Sequence, residues 1–296
     1  MYKDILGMLR CPICNGEVQL LYGEEYKDEV IEGKLICSNA HEWSIHQGVI
    51  NFGSQEQNFA NLWSEAYKKQ DYEELDKEIW KRTPNNLKEL YTKARLDIIN
   101  NINHSKPEHL VDIATGRGML LTEMVQKISY DAHIICLDLS FEVLKNDRLK
   151  VKKINPAIRV NYIACDATNV PIKDDVIDMC TSFFGIANMM DSTQKGIEEA
   201  NRILKDGSSL LDSSIIIKDN SRGYEVLKDF LLEQDMNKCQ EFAIEQGFKD
   251  LHVKGKFKEV NIKEIGHSIG EKNEYDLLPF QGEGFQVVTA YCKKQI

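Results

Sequence analysis

The sequence predicts an α/β fold in which a doubly wound, mostly parallel sheet follows a small N-terminal metal-binding segment. The first observation is a strand, a glycine turn and a helix in residues 110–121, a unit that opens many sheets of this kind. The second is that short apolar runs alternate with helical patterns over residues 108–217. The third is two pairs of metal-ligand residues within the first 41 positions.

Length and composition limit the class of protein. The chain has 296 residues, of which 42% are hydrophobic, so it is long enough for one large domain or two. No apolar run approaches the roughly 20 residues that a membrane span needs, and the N-terminus is too short and polar for a signal peptide. We therefore expect a cytoplasmic protein with no membrane partner. The net charge of −10 argues against broad binding to nucleic acids.

Cysteine and histidine residues near the N-terminus have the spacing of a zinc site. Cys11 and Cys14 form one ligand pair, and Cys37 and His41 form a second pair after a spacer long enough for a hairpin. Three thiolates and an imidazole leave no position for a catalytic water, so the predicted zinc is structural. His46 is the alternative fourth ligand, but it lies farther from Cys37 than such turns usually allow. Residues 1–58 are thus predicted to form a zinc ribbon.

Residues 59–105 have the pattern of a helical linker or cap. Apolar residues recur at helical spacing in Asn58–Lys69, and Thr83-Pro84 is typical of an N-cap and a first helical turn. The helix that starts there is predicted to reach about residue 101. These helices either only cover the sheet or also close over a bound ligand. In the second case the closing side chains are those of Trp63, Tyr67 or Arg95.

The glycine turn begins after the apolar run Leu110–Ala114, which is short enough for a buried strand. Gly116 and Gly118 allow the backbone to approach a ligand closely, and a helix follows from Met119. The stretch lacks the lysine of a P-loop and the third glycine of the dinucleotide-binding motif. An acid inside the strand, Asp112, instead favours a cationic ligand that carries an amine.

Further strands and helices alternate after this turn. The predicted strands are Ile134–Asp138, Val160–Ala164, Val176–Ser182 and Ser208–Ile217, and the predicted helices are Ser140–Lys152 and Lys195–Leu204. Asp112, Asp138 and Asp166 lie at or near the carboxyl ends of three successive strands. Because ligands bind at that edge of a parallel sheet, the regular placement of the three acids predicts a shared site.

Five motifs follow one another in this region. They are Val-Asp-Ile-Ala-Thr-Gly-Arg-Gly at 111–118, Leu-Asp-Leu-Ser at 137–140, Cys-Asp-Ala at 165–167, Val-Pro-Ile-Lys-Asp-Asp-Val-Ile-Asp-Met at 170–179 and Glu-Ala-Asn-Arg-Ile-Leu-Lys-Asp-Gly at 199–207. Together they resemble class I S-adenosylmethionine-dependent methyltransferases, a large group that includes quinone-biosynthesis methyltransferases. The resemblance implies a seven-stranded sheet with an antiparallel last strand over residues 106–296. Its closing hairpin is expected to pair Asp250–Phe257 with Phe285–Lys293, after a helix at Lys238–Gln246.

The resemblance also implies how S-adenosylmethionine would be held at its amino-acid end. Asp112, Ala114 and the backbone from Gly116 to Gly118 would surround that part of the cofactor. Ala114 stands where the family usually has glycine. Its methyl group would be tolerated if the residue keeps β geometry.

At the nucleoside end, the resemblance assigns the ribose hydroxyls to Asp138 and the adenine ring to Leu139. Asp166 would accept a hydrogen bond from the adenine amino group, with Ala167 beside it. Phe183 follows the fourth strand and would face the transferred methyl group. The sequence contains no convincing general base, so the catalytic residues are left unassigned.

The N-terminal segment has a resemblance of its own. Cys-Pro-Ile-Cys followed by Cys-x3-His-x-Trp is similar to the zinc ribbon of bacterial ribosomal RNA guanine-N1 methyltransferases. This resemblance makes RNA a candidate acceptor, but residues 1–58 contain four basic and nine acidic residues. A ribbon that binds a phosphate backbone should be basic. The one dense basic stretch, Lys145–Lys153, is more simply explained as a solvated helix end.

We therefore predict an S-adenosylmethionine-dependent methyltransferase with a structural zinc ribbon and a small or non-nucleic acceptor. The first alternative is a ribosomal RNA guanine-N1 methyltransferase. The second is a non-catalytic module that binds the cofactor and docks a partner through the ribbon. The ribbon and the cofactor domain are expected to have separate hydrophobic cores.

Overall fold

The computed structural model describes residues 1–53, 62–233, 236–271 and 281–295. The strands are β1 (Val18–Tyr26), β2 (Glu29–Cys37), β3 (Glu42–His46), β4 (Val49–Asn51), β5 (His109–Ile113), β6 (His133–Asp138), β7 (Val160–Ala164), β8 (Ile177–Phe183), β9 (Leu204–Ile216), β10 (Glu259–Ile269) and β11 (Gly284–Lys293). The α-helices are α1 (Leu62–Lys69), α2 (Tyr72–Arg82), α3 (Asn85–Ser105), α4 (Met119–Lys127), α5 (Phe141–Ile154), α6 (Thr193–Ile203), α7 (Arg222–Glu233) and α8 (Glu245–Lys254). Short 3-10 helices lie at Lys3–Met8, Ala187–Ser192 and Asn237–Ala243.

Seven of the strands form the predicted doubly wound sheet, in the order β7-β6-β5-β8-β9-β11-β10. The first five are parallel, whereas β11 is antiparallel to both of its neighbours. The predicted fold class is therefore confirmed, including the antiparallel last strand. The strand order reverses between β5 and β8, and a crevice outside the carboxyl ends of the strands at such a point is where ligands bind in open α/β sheets.

The four N-terminal strands extend this sheet instead of forming a separate one. β4 pairs in parallel with β7, with Val49 beside Tyr162, and the whole sheet has eleven strands. Ribbon side chains such as those of Leu35 and Trp43 belong to the same buried apolar cluster as Ile113 of the domain. The expectation of separate cores is wrong, because the edge of β7 offers unpaired backbone groups and the ribbon supplies a strand to cover them.

The helices of the cap precede β5. The helix predicted after Pro84 is confirmed as α3, which continues to Ser105. Thr83 is not the N-cap of α3. The Thr83 hydroxyl instead donates to the Ile79 carbonyl oxygen at 2.8 Å, at the end of α2. α2 was not predicted; it starts at an N-cap, Asp71, whose carboxylate accepts two backbone N–H groups. Residues 58–61, the start of the helix predicted at Asn58–Lys69, lie outside the described part of the chain.

The tail differs most from the prediction. The helix expected at Lys238–Gln246 is present only as the 3-10 helix at Asn237–Ala243. The strand expected at Asp250–Phe257 is wrong, because α8 occupies Glu245–Lys254 and β10 starts at Glu259. Phe248 and His252, four positions apart, are both buried, which is the spacing of a helix face. The predicted last strand is confirmed as β11. None of the described helices combines the length and apolar character needed to cross a membrane.

Candidate functional site

The glycine turn after β5 has five residues, 114–118, of which three have a left-handed backbone. Ala114, Gly116 and Gly118 have φ values of 52°, 58° and 68°. Ala114 therefore does not have the β geometry on which tolerance of its methyl group depended. The end of β8 packs closely here, because a Cβ atom placed on Gly185 would lie 2.4 Å from the Ala114 carbonyl oxygen. Non-glycine residues in this region of backbone space are strained, and such strain clusters at ligand sites.

Asp112 lies inside β5, directly before this turn, and is buried. One of its carboxylate oxygens accepts a hydrogen bond from the Thr181 hydroxyl of β8 at 2.8 Å. Burial raises the pKa of Asp112 to about 7, against the lowering effect of that hydrogen bond. A carboxylate in such a position is stabilised by a cationic partner, and an ammonium group bound beside the turn would provide one.

Asp138 ends β6 and holds the glycine turn from the neighbouring strand. One carboxylate oxygen accepts from the Gly116 backbone N–H at 2.9 Å, and the other accepts from the Ser140 N–H at 2.8 Å. Leu139, the residue between Asp138 and Ser140 in the sequence, is half-buried. The carboxylate thus shapes the turn while it remains at the ligand-binding edge of the sheet.

Asp166 follows β7 and is exposed. One of its oxygens accepts from both the backbone N–H and the hydroxyl of Thr168, each at 2.8 Å. Ala167 is half-buried and packs against the main apolar core. Because β5, β6 and β7 are adjacent, Asp112, Asp138 and Asp166 form a row along one edge, as the sequence predicted.

Aromatic rings surround the end of β8. The Phe183 and Phe184 ring centroids are 4.5 Å apart, and the Tyr91 ring of α3 lies 5.9 Å from Phe183 and 5.0 Å from Phe184. Phe184 also has a left-handed backbone, with φ of 60°. The Arg95 guanidinium lies 5.6 Å from the centre of the Phe183 ring and donates to Glu123 at 2.7 Å. We call Tyr91, Phe183 and Phe184 the aromatic wall.

The cap helices contact the glycine turn directly. Arg117, between the two turn glycines, forms an ion pair with Asp76 of α2 at 2.8 Å and lies 4.4 Å from the Trp63 ring centre. The hydroxyl of Tyr67 accepts from Lys150 of α5 at 3.0 Å. These contacts bring Trp63 and Tyr67 next to the turn, and their closing over a ligand stays a prediction.

Every cation of the basic stretch Lys145–Lys153 is paired with an acid. The pairs are Lys145 with Glu142 (2.5 Å), Arg148 with Glu29 (2.8 Å), Lys150 with Asp76 (2.6 Å), Lys152 with Glu29 (3.3 Å) and Lys153 with Glu73 (2.7 Å). The prediction of a merely solvated helix end is only partly right, because Lys150 is buried. These charges join α5 to the ribbon and the cap.

The four predicted metal ligands converge, with their donor atoms all within 4.8 Å of one another. The Cys14 and Cys37 sulfurs are 3.6 Å apart, and His41 Nδ1 lies 3.6 Å from the Cys11 sulfur and 3.3 Å from that of Cys37. Tetrahedral zinc would set such atoms roughly 3.5–3.8 Å apart, so the set fits the ion. A backbone hydrogen bond from Gly16 lowers the pKa of Cys14 to about 6, which favours the thiolate.

The alternative ligand His46 lies outside this cluster. Its Nδ1 atom is 2.8 Å from Glu32, and its ring stacks on Phe141 with centroids 5.8 Å apart. Both rings line an open groove of about 690 Å³ on the ribbon, together with Tyr22. None of the three acids lines this groove, and we assign it no ligand.

The central part of the chain is similar to known methyltransferases. A sequence model of the ubiE/COQ5 methyltransferase family matches residues 87–233. A ubiquinone/menaquinone biosynthesis C-methyltransferase from Geotalea daltonii is 29% identical over 113 residues, which cover 38% of this chain and 48% of the relative. A demethylmenaquinone methyltransferase from Porphyromonas gingivalis is 30% identical over 105 residues, covering 36% and 42%. The chain thus spans less than half the length of these relatives.

The matched region runs from α3 to α7 and contains the glycine turn and the three acids. The strand order and the antiparallel β11 match the class I methyltransferase fold. An arsenic(III) S-adenosylmethionine methyltransferase from Chlamydomonas reinhardtii is 16% identical, with a TM-score of 0.48 over 63% of this chain and 64% of that one. That identity is too low to bear on a substrate.

Three buried or half-buried charged residues beside the glycine turn were not predicted as part of the site. Asp147 and Lys150 lie three positions apart on α5 and pair at 3.1 Å, and Lys150 also reaches Asp76 of the cap. Lys150 further donates to the Arg117 carbonyl oxygen at 3.0 Å. The (i, i+3) spacing of opposite charges was a visible signal, but the same spacing is common on solvated helices.

Proposed function

We propose that the protein is an S-adenosylmethionine-dependent methyltransferase that acts on a small aromatic acceptor of the quinone type. The observation that carries the proposal is the row formed by Asp112, Asp138 and Asp166 beside the glycine turn. The named activities of the matched relatives support the acceptor class.

In this proposal the chain binds and orients the cofactor. Asp112 accepts the ammonium group at the amino-acid end, and the backbone around Gly116 surrounds that end. Asp138 accepts the ribose hydroxyls, Leu139 packs on the adenine, and Asp166 accepts from the adenine amino group. When bound, the cofactor supplies a sulfonium whose methyl group is electrophilic. The main contribution of the chain to the rate is the placement of that methyl group in line with the acceptor.

The aromatic wall supports an acceptor that is a flat apolar ring. Offset or edge-to-face contacts with Tyr91, Phe183 and Phe184 favour such a ring over a polar substrate. The Arg95 guanidinium lies 5.6 Å from the centre of the Phe183 ring, where a cation–π contact is favourable. The charge pattern argues against RNA as the acceptor. The cations of the basic stretch already have acidic partners and therefore attract phosphates only weakly.

We further propose that Cys11, Cys14, Cys37 and His41 bind one structural zinc ion. The donor distances and the low pKa of Cys14 support this assignment. With all four positions filled by side chains, the ion would have no direct part in methyl transfer.

Two experiments test the proposed function. The first offers labelled S-adenosylmethionine with a demethylated quinol, with RNA from cells that lack the enzyme, and with protein extract. Label should enter the quinol, whereas entry into guanosine of the RNA would support the ribosomal RNA alternative. Tight cofactor binding without transfer to any of the three would support the non-catalytic alternative.

The second experiment measures S-adenosylhomocysteine binding to Asp138→Ala by calorimetry. One hydrogen bond to a charged group contributes roughly 1.5–3 kcal/mol, so the affinity should fall at least about tenfold. Asp131→Ala is the control, because Asp131 is exposed and precedes β6 at the opposite edge of the sheet. Equal affinities of the two variants would show that the cofactor lies elsewhere.

A further inference from the structure

The predicted metal site is joined to the loop that carries Asp166. The Asn169 side chain donates from Nδ2 to the carbonyl oxygen of Pro12 at 2.9 Å. Pro12 lies between Cys11 and Cys14, the first ligand pair. The turn that these two cysteines would close around the metal therefore supplies an acceptor to the loop directly after Asp166.

The contact continues along both segments. The Arg10 N–H donates to the Pro171 carbonyl oxygen at 3.0 Å, and the Lys173 N–H donates to the Met8 carbonyl oxygen at 2.7 Å. Leu9 bridges to Ile172 in antiparallel fashion, and both side chains are completely buried. Residues 8–12 thus form a short antiparallel ladder with residues 169–173.

α6 also holds this loop, at the residue directly after Asn169. Glu199 accepts from the Val170 N–H at 2.7 Å, and Arg202 donates to the Val170 carbonyl oxygen at 2.9 Å. Nearer the cofactor edge, the Asn169 N–H donates to the Asp166 carbonyl oxygen at 3.0 Å. Asn169 therefore connects the backbone of Asp166 to the ligand turn through a single residue.

We propose that the metal-loaded Cys11–Cys14 turn positions Asp166 for the adenine amino group, with Asn169 as the positioning residue. This inference rests on the proposed function, because Asp166 is assigned to the adenine there. A bound metal fixes both cysteines and with them the Pro12 carbonyl oxygen. Without the metal, the turn loses its central constraint and Asn169 loses a fixed acceptor. Metal occupancy then governs how well the protein distinguishes the base of its cofactor.

The test compares two ligands by calorimetry. One is S-adenosylhomocysteine, and the other is an analogue whose purine carries hydrogen in place of the 6-amino group. The ratio of their affinities reports the contact with Asp166 alone, since the amino-acid and ribose ends are identical. In zinc-loaded protein the ratio should favour the amino-bearing ligand by about tenfold, the size of one hydrogen bond to a charged group.

Stripping the metal should bring this ratio close to one, and so should Asn169→Ala in protein that keeps its zinc. Asn155→Ala is the matched control, because Asn155 makes the same kind of contact, from Nδ2 to the Val125 carbonyl oxygen at 2.9 Å, at the end of α5. It should leave the ratio unchanged.

Asn169→Ala retains all four ligands, so it tests the inference even where stripped protein unfolds. An unchanged ratio in Asn169→Ala would overturn the inference, as would an equal loss of affinity for both ligands. Failure of zinc-loaded wild-type protein to bind either ligand would instead overturn the proposed function, and this inference with it.

Discussion

Asp112 combines burial with an acidic side chain that the proposed cofactor would neutralise. In the folded protein without cofactor its pKa is raised to about 7, chiefly by burial, whereas in the unfolded chain it titrates near 3.8. At any pH between these two pKa values, the folded state binds more protons at Asp112 than the unfolded state does. The contribution of Asp112 to stability therefore falls as pH rises from about 4 to 7, and the full cost is present above pH 7.

Asp112→Asn should remove that cost. We expect the variant to be more stable than wild type at pH 8 without cofactor, by on the order of a few kcal/mol, and the gap to close towards pH 5. Urea unfolding at the two pH values measures it. The same variant should bind S-adenosylhomocysteine more weakly at pH 8. A stability gap that stayed constant with pH would show that Asp112 does not titrate in this way.

Ala114 stores strain in a left-handed backbone, with φ of 52°. An L-residue in this conformation costs roughly 1–2 kcal/mol relative to glycine, while glycine costs roughly 0.5–1 kcal/mol in chain entropy. Ala114→Gly should therefore be neutral or stabilising by up to about 1.5 kcal/mol in urea unfolding. Ala200→Gly, inside α6, is the control and should destabilise by about 1 kcal/mol or more. A loss of the same size in both variants would argue against strain at Ala114.

At the scale of elements, α5 is the helix that holds the glycine turn to its surroundings. Its Arg148 reaches Glu29 of the ribbon, and its Lys150 reaches Asp76 of the cap and the turn itself. The buried Lys150 has a raised pKa, because nearby acids outweigh its burial. Burial raises the pKa of its partner Asp147 to about 7 even with Lys150 present.

Lys150→Met should leave Asp147 buried without its cation. Breaking a buried pair costs about 3–5 kcal/mol, so we expect a loss of that size at pH 8 and a smaller loss at pH 6, where Asp147 takes up a proton. Lys153→Met, at a side chain that is 68% exposed, should change stability by less than about 1 kcal/mol. Similar losses of stability in the two variants would mean that the buried ion pairs of Lys150 do not hold α5 in place.

For the whole molecule, the eleven-stranded sheet joins the ribbon to the doubly wound part of the chain. The two parts share one apolar cluster, and β4 completes the edge of β7. A ligand that stabilises one part of such a unit stabilises all of it.

Removal of the metal should therefore affect the entire chain. In calorimetry, zinc-loaded protein should unfold in a single transition, and stripping or Cys14→Ser should lower its midpoint by at least about 5 °C. Cys239→Ser serves as a comparison for the loss of a buried thiol remote from the ligand cluster. A separate low-temperature transition of the ribbon, with the domain midpoint unchanged, would contradict the shared core.

Several features of the site could be predicted from the sequence because they depend on residues close together in the chain. The glycine turn, the acids at the ends of β5, β6 and β7, and the two ligand pairs of the metal site all lie within short segments of regular pattern. Alternation of apolar runs and helical spacing was sufficient for the parallel core of the sheet.

Other features of the site depend on contacts between segments that are far apart in the chain. β4 and β7 lie more than a hundred positions apart along the chain, so no local pattern predicts that Val49 pairs beside Tyr162. The burial of Lys150 and the left-handed backbone of Ala114 likewise depend on the cap and on the end of β8, which pack against them from distant segments. Local sequence patterns were sufficient for the parallel strands of the sheet and for the two ligand pairs. Which charges are buried and which edges are covered was decided by packing, because the free energy of those contacts exists only after remote segments have come together.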